Sequence, residues 1–163
     1  MEAEFEQAQN MRRSGDLEGA RKILVRLCEQ HPNVSKLQYS CAAVHDNLGL
    51  EKEAVPYYET ALRLGGLQGP DLAGCYIGLG STYRLLGEYK KSMEVLLEGS
   101  RAFPTTLALK VFEAMTLHED GKHNLAIGLL IHCLIEKPGD PSITDYSRAL
   151  LQYAQEYAKE PAE

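Results

Sequence analysis

Residues 75–104 read CYIGLGSTYRLLGEYKKSMEVLLEGSRAFP, and this stretch carries most of the information about the architecture. Gly80 and Ser92 place small side chains within two apolar segments, and Gly87 lies between the segments. Leu96 follows Ser92 by four positions, the spacing that puts two side chains on one face of a helix. A glycine just after a helix favours the left-handed backbone that ends it. The stretch therefore predicts two helices joined by a tight turn, with small residues where the helices cross closely.

The same pattern occurs four times along the chain. Each occurrence contains a turn glycine, and these glycines are Gly15, Gly49, Gly87 and Gly121. Five positions after each glycine stands a small residue, and at spacings of 34, 38 and 34 positions these are Ala20, Ala54, Ser92 and Ala126. Seven positions before each glycine stands another small residue, in turn Ala8, Ala42, Gly80 and Ala114. Because repetition at a fixed period marks a repeat architecture, we expect four stacked helix pairs.

This spacing resembles the tetratricopeptide repeat, a 34-residue unit with the pattern W-x2-L-G-x2-Y, then A-x3-F, then P. The third unit matches best, at Tyr76, Leu79, Gly80, Tyr83, Ser92, Leu96 and Pro104. The resemblance covers about residues 2–137, and residues 45–104 are also similar to small stand-alone bacterial proteins of this family that have no assigned activity. It implies an all-α, right-handed superhelical array that binds another polypeptide.

We expect a single domain over residues 1–163, with repeats at about 1–34, 35–70, 71–106 and 107–140. A final helix is predicted over 141–159 from an apolar stripe at three- and four-residue steps, formed by Ile143, Tyr146, Leu150, Tyr153 and Tyr157. A repeat array needs its last pair covered, so this helix is interpreted as a cap. In the alternative interpretation, its tyrosines reach into a groove or a second subunit.

Composition and charge narrow the class of partner and the compartment. The net charge is -6 and the pI is about 5.4, so no overall positive field attracts nucleic acid or an anionic membrane. The first ten residues are acidic and polar, which is unlike a secretory signal, and no apolar stretch approaches the roughly 18 residues of a membrane span. The four cysteines lie far apart without a C-x-x-C pair, which is typical of reduced thiols in a cytoplasmic protein.

The family resemblance also implies a binding surface. In that family, fixed positions on the first helix of each pair line a concave groove. Carried over residue by residue, they predict a partner-binding groove lined by Phe5, Gln9, Arg12, Arg13, Tyr39, Ala43, Asp46, Asn47, Ile77, Ser81, Arg84, Val111, Phe112, Met115 and His118. One column of this groove is apolar and its neighbour alternates basic and acidic residues. We expect a short extended or helical peptide that carries apolar anchors and an acidic group.

Arg12, Asp46 and Arg84 occupy the same position in successive units. Because packed helices lie ~8–10 Å apart, these side chains are predicted to form a ladder with one carboxylate between two guanidinium groups. One interpretation is a structural ion-pair network, which contributes little when exposed. The other is that an arginine binds a carboxylate of the partner through two hydrogen bonds. The sequence leaves both open.

No catalytic or metal-binding pattern emerges from the sequence. Ser81 lies within a predicted helix rather than on a nucleophile elbow. His118 and His123 flank Gly121 and do not share a helix face at the spacing that metal ligands need. We therefore expect a non-enzymatic adaptor or scaffold without cofactor or metal. The alternative function is self-association, with the C-terminal helix forming a homodimer.

Overall fold

A computed structural model describes residues 1–136, 141–146 and 148–149, and these residues form helices joined by short turns. The helices in chain order are α1 (Glu2–Ser14), α2 (Leu17–Gln30), α3 (Ser35–Asn47), α4 (Glu51–Leu64), α5 (Gly69–Leu85), α6 (Tyr89–Ala102), α7 (Leu107–Glu119), α8 (His123–Glu136) and α9 (Pro141–Asp145). The sequence pattern predicts helices at about 2–14, 17–30, 35–48, 51–64, 70–86, 89–102, 105–120 and 123–136. The first eight helices begin and end within two residues of these bounds. The described part of the chain contains no strand.

The turn within each pair is built as the glycine pattern predicts. Gly15 follows α1 with a φ of 91°, a left-handed backbone that residues with a side chain adopt only at a cost. Its backbone N–H donates to the carbonyl of Arg12 over 3.2 Å, which satisfies one of the last acceptors of α1. Asp16 then caps α2, because its carboxylate accepts a 2.9 Å hydrogen bond from the backbone of Gly19. One helix therefore ends and the next begins within two residues.

Small residues lie where the helices cross. Those on the second helix of each pair are almost fully buried, with exposed fractions of 0, 0, 0 and 3% for Ala20, Ala54, Ser92 and Ala126. Gly80 shows how close the crossing is, because a Cβ atom added there would lie 2.5 Å from Cγ of Leu96. The predicted register of the four repeats is thus confirmed.

The helices stack in order, and the stack curves. Each helix from α1 to α7 packs against the next one in the chain. Close contacts also join α3 to α5 and α5 to α7, whereas the second helices of neighbouring pairs approach one another much less in the described part of the chain. The first helices therefore line the inner, concave side of the array.

The C-terminal segment departs from a simple extension of this stack. The helix predicted over 141–159 is described only as α9, which ends at Asp145 and is followed by a turn at Tyr146. The positions of Leu150, Tyr153 and Tyr157 lie outside the described residues. Helix α9 contacts α7, the first helix of the last pair.

Candidate partner-binding groove

The predicted groove residues differ in how far they reach solvent. Those on α1 and α3 are half-buried or exposed, and they are Phe5, Gln9, Arg12, Arg13, Tyr39, Ala43, Asp46 and Asn47. On α5 and α7 most are buried, with only Val111 and His118 half-buried, and the buried ones are Ile77, Ser81, Arg84, Phe112 and Met115. The concave face is thus open over the first two units and largely covered over the last two.

Polar side chains connect the first two units on the open part of the groove. The amide of Gln9 donates a 3.0 Å hydrogen bond to the hydroxyl of Ser40, across from α1 to α3. Arg12 donates to the same Gln9 side chain over 3.2 Å. The ammonium of Lys36 lies 5.9 Å from the centre of the Phe5 ring. This part of the groove therefore presents an aromatic ring beside several cationic groups.

Asp46 sits at the junction of units two and three. Its carboxylate accepts hydrogen bonds of 3.2 Å from the hydroxyls of Tyr58 and Thr82. Burial raises the pKa of Asp46 from about 3.8 to about 6, although these two bonds and the nearby positive charge of Arg84 act in the opposite direction. Asp46 thus links α3, α4 and α5 through a carboxyl group that titrates near neutral pH.

Arg84 does not form the ion pair with Asp46 that the sequence predicts. It is 2% exposed, and its guanidinium pairs with Glu119 of α7 rather than with Asp46. Arg84 still acts on Asp46 through electrostatic attraction, which lowers the pKa of that carboxyl. The predicted pairing is therefore corrected, because α5 packs against α7 and brings a nearer carboxylate. The geometry favours the structural interpretation of Arg84 over the partner-binding one.

Three of the inner helices also form an aromatic cluster around a glycine. Tyr39 of α3 extends across α5, where a Cβ added to Gly74 would lie 2.3 Å from the tyrosine hydroxyl. On α7, the ring of Phe112 meets the ring of Tyr146 edge-on, with centroids 5.9 Å apart and an interplanar angle of 82°. The Tyr146 hydroxyl lies 3.8 Å from the same added Cβ position on Gly74. We call Tyr39, Gly74 and Phe112 the aromatic subsite.

Sequence reasoning assigned no role to Gly74 in the groove, although it placed Tyr146 in the C-terminal stripe. The sequence does contain a pattern that points to this contact, because Gly74 and Gly78 lie about one helical turn apart on α5. A Cβ on Gly78 would lie 2.4 Å from the hydroxyl of Tyr58, so both glycines make room for a tyrosine of the preceding unit. Glycines on a first helix at this spacing therefore indicate where large side chains cross it.

A separate cleft of about 720 Å³ lies on the other side of the first two units, between α2, α3 and α4. Arg21, Gln38 and Tyr57 are among the residues that line it. The Tyr57 ring stacks on the buried His45 with centroids 5.2 Å apart. Sequence reasoning did not predict this cleft, because its walls come from helices of two different units.

The two histidines at the last turn lie close together. The Nδ1 atoms of His118 and His123 are 3.1 Å apart, and their ring centroids are separated by 4.7 Å. Across residues 1–136, 141–146 and 148–149, no group of three or more histidine, cysteine, aspartate or glutamate side chains has the arrangement that a metal ion needs.

An array of helix pairs with a curved inner face defines the chain as a helical-repeat protein. A family model described as Tetratrico peptide repeat matches residues 35–157, and the chain belongs to this family. The predicted fold class, an all-α right-handed superhelical array of about four helix pairs followed by a C-terminal helix, is confirmed. A search of curated proteins gave no match.

Several solved structures share this fold. MamA protein superimposes with a TM-score of 0.73 at 14% identity, over 90% of this chain and 75% of MamA. YrrB, described as a TPR protein with an unusual peptide-binding site, gives 0.69 at 19% identity, over 96% of this chain and 78% of YrrB. TTC0263, a thermophilic TPR protein of Thermus thermophilus, gives 0.69 at 20% identity, over 92% of this chain and 81% of TTC0263. At these identities the likeness shows the fold alone.

The family places the chain among proteins that interact with other proteins, and its members are generally non-catalytic scaffolds. None of the helices in the described residues has the length and apolarity that crossing a membrane requires.

Proposed function

We propose that this chain is a non-enzymatic adaptor that binds a peptide or a protein segment along the open part of its concave groove. The observation that carries the proposal is the accessible surface of α1 and α3, where Phe5, Tyr39 and Ala43 supply apolar area beside Arg12 and Arg13. Mixed surfaces of this kind suit a ligand held by a few apolar anchors and oriented by polar contacts.

The charges on α1 favour an acidic group in the ligand. Arg13 is exposed, and Arg12 is bonded to Gln9 through one nitrogen only among its described contacts. Within the described part of the chain, the buried Nε of Arg12 has no hydrogen-bond partner. Because the side chain as a whole is only half-buried, a carboxylate of a ligand can reach its guanidinium, and such charge-assisted bonds are stronger than neutral ones. In this proposal Arg12 and Arg13 bind the acidic group of the ligand.

A displayed library of random peptides tests the proposal. Peptides selected on the wild-type chain are expected to lose about tenfold or more in affinity for an Arg12→Glu variant, because removing a buried charged contact costs about 2 kcal/mol or more. Their affinity for a Tyr39→Ala variant should also be lower than for the wild type. The matched control is Arg101→Glu, which reverses an exposed charge on α6.

Circular dichroism and thermal melting first establish that each variant is folded. Equal binding to the wild type, Arg12→Glu and Tyr39→Ala would place the binding surface elsewhere and contradict the groove assignment. Loss of binding on Arg101→Glu alone would point to the outer helices instead.

A second candidate function is self-association through α8. Its surface carries Leu125 at 63%, Ile127 at 56% and Leu130 at 37% exposure, more apolar area than an isolated surface leucine would give. In this second candidate function, α8 forms the dimer contact, in place of the C-terminal helix that the sequence suggests. Light scattering should give twice the chain mass for the wild type and the single mass for a Leu125→Lys, Ile127→Glu double variant; a monomeric wild type contradicts it.

The proposal places the protein in the cytoplasm as a single repeat domain over residues 1–163, without a cofactor. Support for the reducing compartment comes from the four cysteines, which are buried thiols in the described part of the chain. Nucleic acid and membranes are not proposed as partners, because the net charge of -6 repels both.

A further inference from the structure

The covered half of the groove contains a segment of the chain itself. Ile77 and Met115 are buried, whereas Tyr39 and Ala43 at the equivalent positions of unit two are half-buried. Tyr146 is packed against the cluster that contains Ile77, Phe112 and Met115. Part of the difference between the two halves therefore comes from the segment that follows the last repeat.

Tyr146 occupies a defined position against the inner helices. Its ring lies against Phe112 on α7, and its hydroxyl lies 3.8 Å from the position of a Cβ added to Gly74 on α5. The Tyr39 hydroxyl of α3 lies 2.3 Å from the same position. Tyr146 thus contacts α7 and lies beside α5, where Tyr39 also reaches.

The described part of the C-terminal segment lies on the concave side of the array. Helix α9 contacts α7, the first helix of the last pair. Residues 141–146 therefore occupy the surface where a ligand of the groove would lie.

The subsite has the chemistry to accept an aromatic side chain. Phe112 offers its ring for an edge-on contact. No side chain stands at Gly74, where the hydroxyls of Tyr39 and Tyr146 lie 2.3 and 3.8 Å from the position of an added Cβ.

We propose that Tyr146 is an intramolecular ligand of the aromatic subsite, and that a partner binds there by presenting an aromatic residue that displaces it. This inference rests on the proposed groove function and extends it to a specific residue class. The partner segment carries an aromatic side chain that takes the place of Tyr146 against Phe112. Binding is weakened in the wild-type chain by the fraction of molecules in which Tyr146 already fills the subsite.

The intramolecular contact can be tested without a partner, because the chain contains no tryptophan. A Tyr146→Trp variant of the full chain carries a single tryptophan, expected to emit at shorter wavelength and to be shielded from acrylamide. The control is Arg101→Trp, at an exposed position of α6 outside both proposed binding surfaces, which should emit and quench like a solvated indole. Equal emission and quenching for the two variants would overturn the inference.

Displacement is tested with a synthetic peptide of residues 141–149, PSITDYSRA, and with the same peptide carrying alanine in place of its tyrosine. The tyrosine peptide is expected to bind the full-length Tyr146→Ala variant about tenfold more tightly than the wild type, the factor expected if about one wild-type molecule in ten has the subsite open. A Phe112→Leu change in the same background should weaken it, with a melting curve to show that the fold is kept. The alanine peptide should show no measurable binding to the wild type or to either variant.

The outcomes separate this inference from the function on which it rests. If library peptides depend on Arg12 and Tyr39 but bind the wild type and Tyr146→Ala equally, the groove function stands and the intramolecular ligand is overturned. If PSITDYSRA prefers Tyr146→Ala while library peptides ignore Arg12→Glu and Tyr39→Ala, the proposed function fails and the Tyr146 contact stands. Equal binding of PSITDYSRA to the wild type and Tyr146→Ala overturns the inference directly.

Discussion

The hydroxyl of Tyr58 donates a 3.2 Å hydrogen bond to the carboxylate of Asp46, the residue whose pKa burial raises to about 6. Thr82 donates to the other carboxylate oxygen over the same distance. The three side chains belong to α4, α3 and α5, so a single ionisable group joins the second unit to the third. Protonation of that group changes the stability of the junction.

The first prediction concerns the pH dependence of stability. The folded state holds the Asp46 proton at pH values where the unfolded chain has released it, so this contribution to stability is complete below about pH 4 and is lost as the pH rises through about 6. In Asp46→Asn the group cannot ionise. The stability of the variant relative to the wild type is therefore expected to rise by about 1–3 kcal/mol between about pH 4 and pH 7.5.

Urea unfolding at several pH values across this range measures the difference. Glu53→Gln is the control, because it removes an exposed carboxyl on α4 and should change stability by less than about 0.5 kcal/mol at every pH. A difference between Asp46→Asn and the wild type that stays constant with pH would show that Asp46 does not titrate in this window.

The second prediction compares two glycines within helices. A Cβ on Gly80 would lie 2.5 Å from the branched Cγ of Leu96, so Gly80→Ala should destabilise the fold by about 1–3 kcal/mol through overpacking. Nothing lies within 4 Å of a Cβ added to Gly128 on α8. Gly128→Ala should therefore stabilise by about 0.5–1 kcal/mol, since alanine is the better helix former. Chemical denaturation of both variants measures the difference, and changes of the same sign would contradict the packing at Gly80.

The third prediction concerns the buried ion pair between Arg84 and Glu119. The side chains are 1% and 23% exposed, so Glu119→Ala leaves a buried guanidinium without this carboxylate and should cost about 2–4 kcal/mol. Glu4 pairs with Arg26 at the surface, with exposures of 42% and 53%. Glu4→Ala is thus expected to cost less than about 1 kcal/mol.

Denaturation at low and high salt tests this comparison. The effect of Glu119→Ala should persist at about 1 M salt, because water and ions reach a buried pair poorly, whereas the effect of Glu4→Ala should fade. Equal and salt-sensitive losses for the two variants would mean that Arg84 is solvated.

The fourth prediction concerns thiol reactivity. The four cysteines are at most 4% exposed, and burial raises the pKa of Cys75 to about 12, which keeps it protonated at neutral pH. A disulfide reagent such as Ellman's should react slowly with the native chain and release four equivalents in denaturant. Ser14→Cys adds a thiol at an exposed position and should add one fast equivalent. Several fast equivalents from the wild type would contradict the burial.

Helix bounds and repeat register follow from the sequence because they depend on local features. The turn glycines determine where helices end, and small residues such as Ala20 and Ala54 mark the crossings wherever they recur. Both signals lie within one repeat, so the sequence contains them directly.

The pairing and exposure of groove residues depend on contacts between repeats, which the sequence does not encode locally. Arg84 and Asp46 share a repeat position, yet the packing of α5 against α7 brings Glu119 closer. The position of Tyr146 depends in the same way on contacts with Phe112 and Gly74, which belong to two different repeats. Such features need the packed structure.

Each helix in this array contacts chiefly the helices beside it in the chain. Folding is therefore close to a one-dimensional process, in which every unit is stabilised by its immediate neighbours and the outermost units have a neighbour on one side only. Local opening consequently starts from the ends and proceeds inward. Amide hydrogen exchange is then expected to be slowest in α4 and α5, where the second unit meets the third.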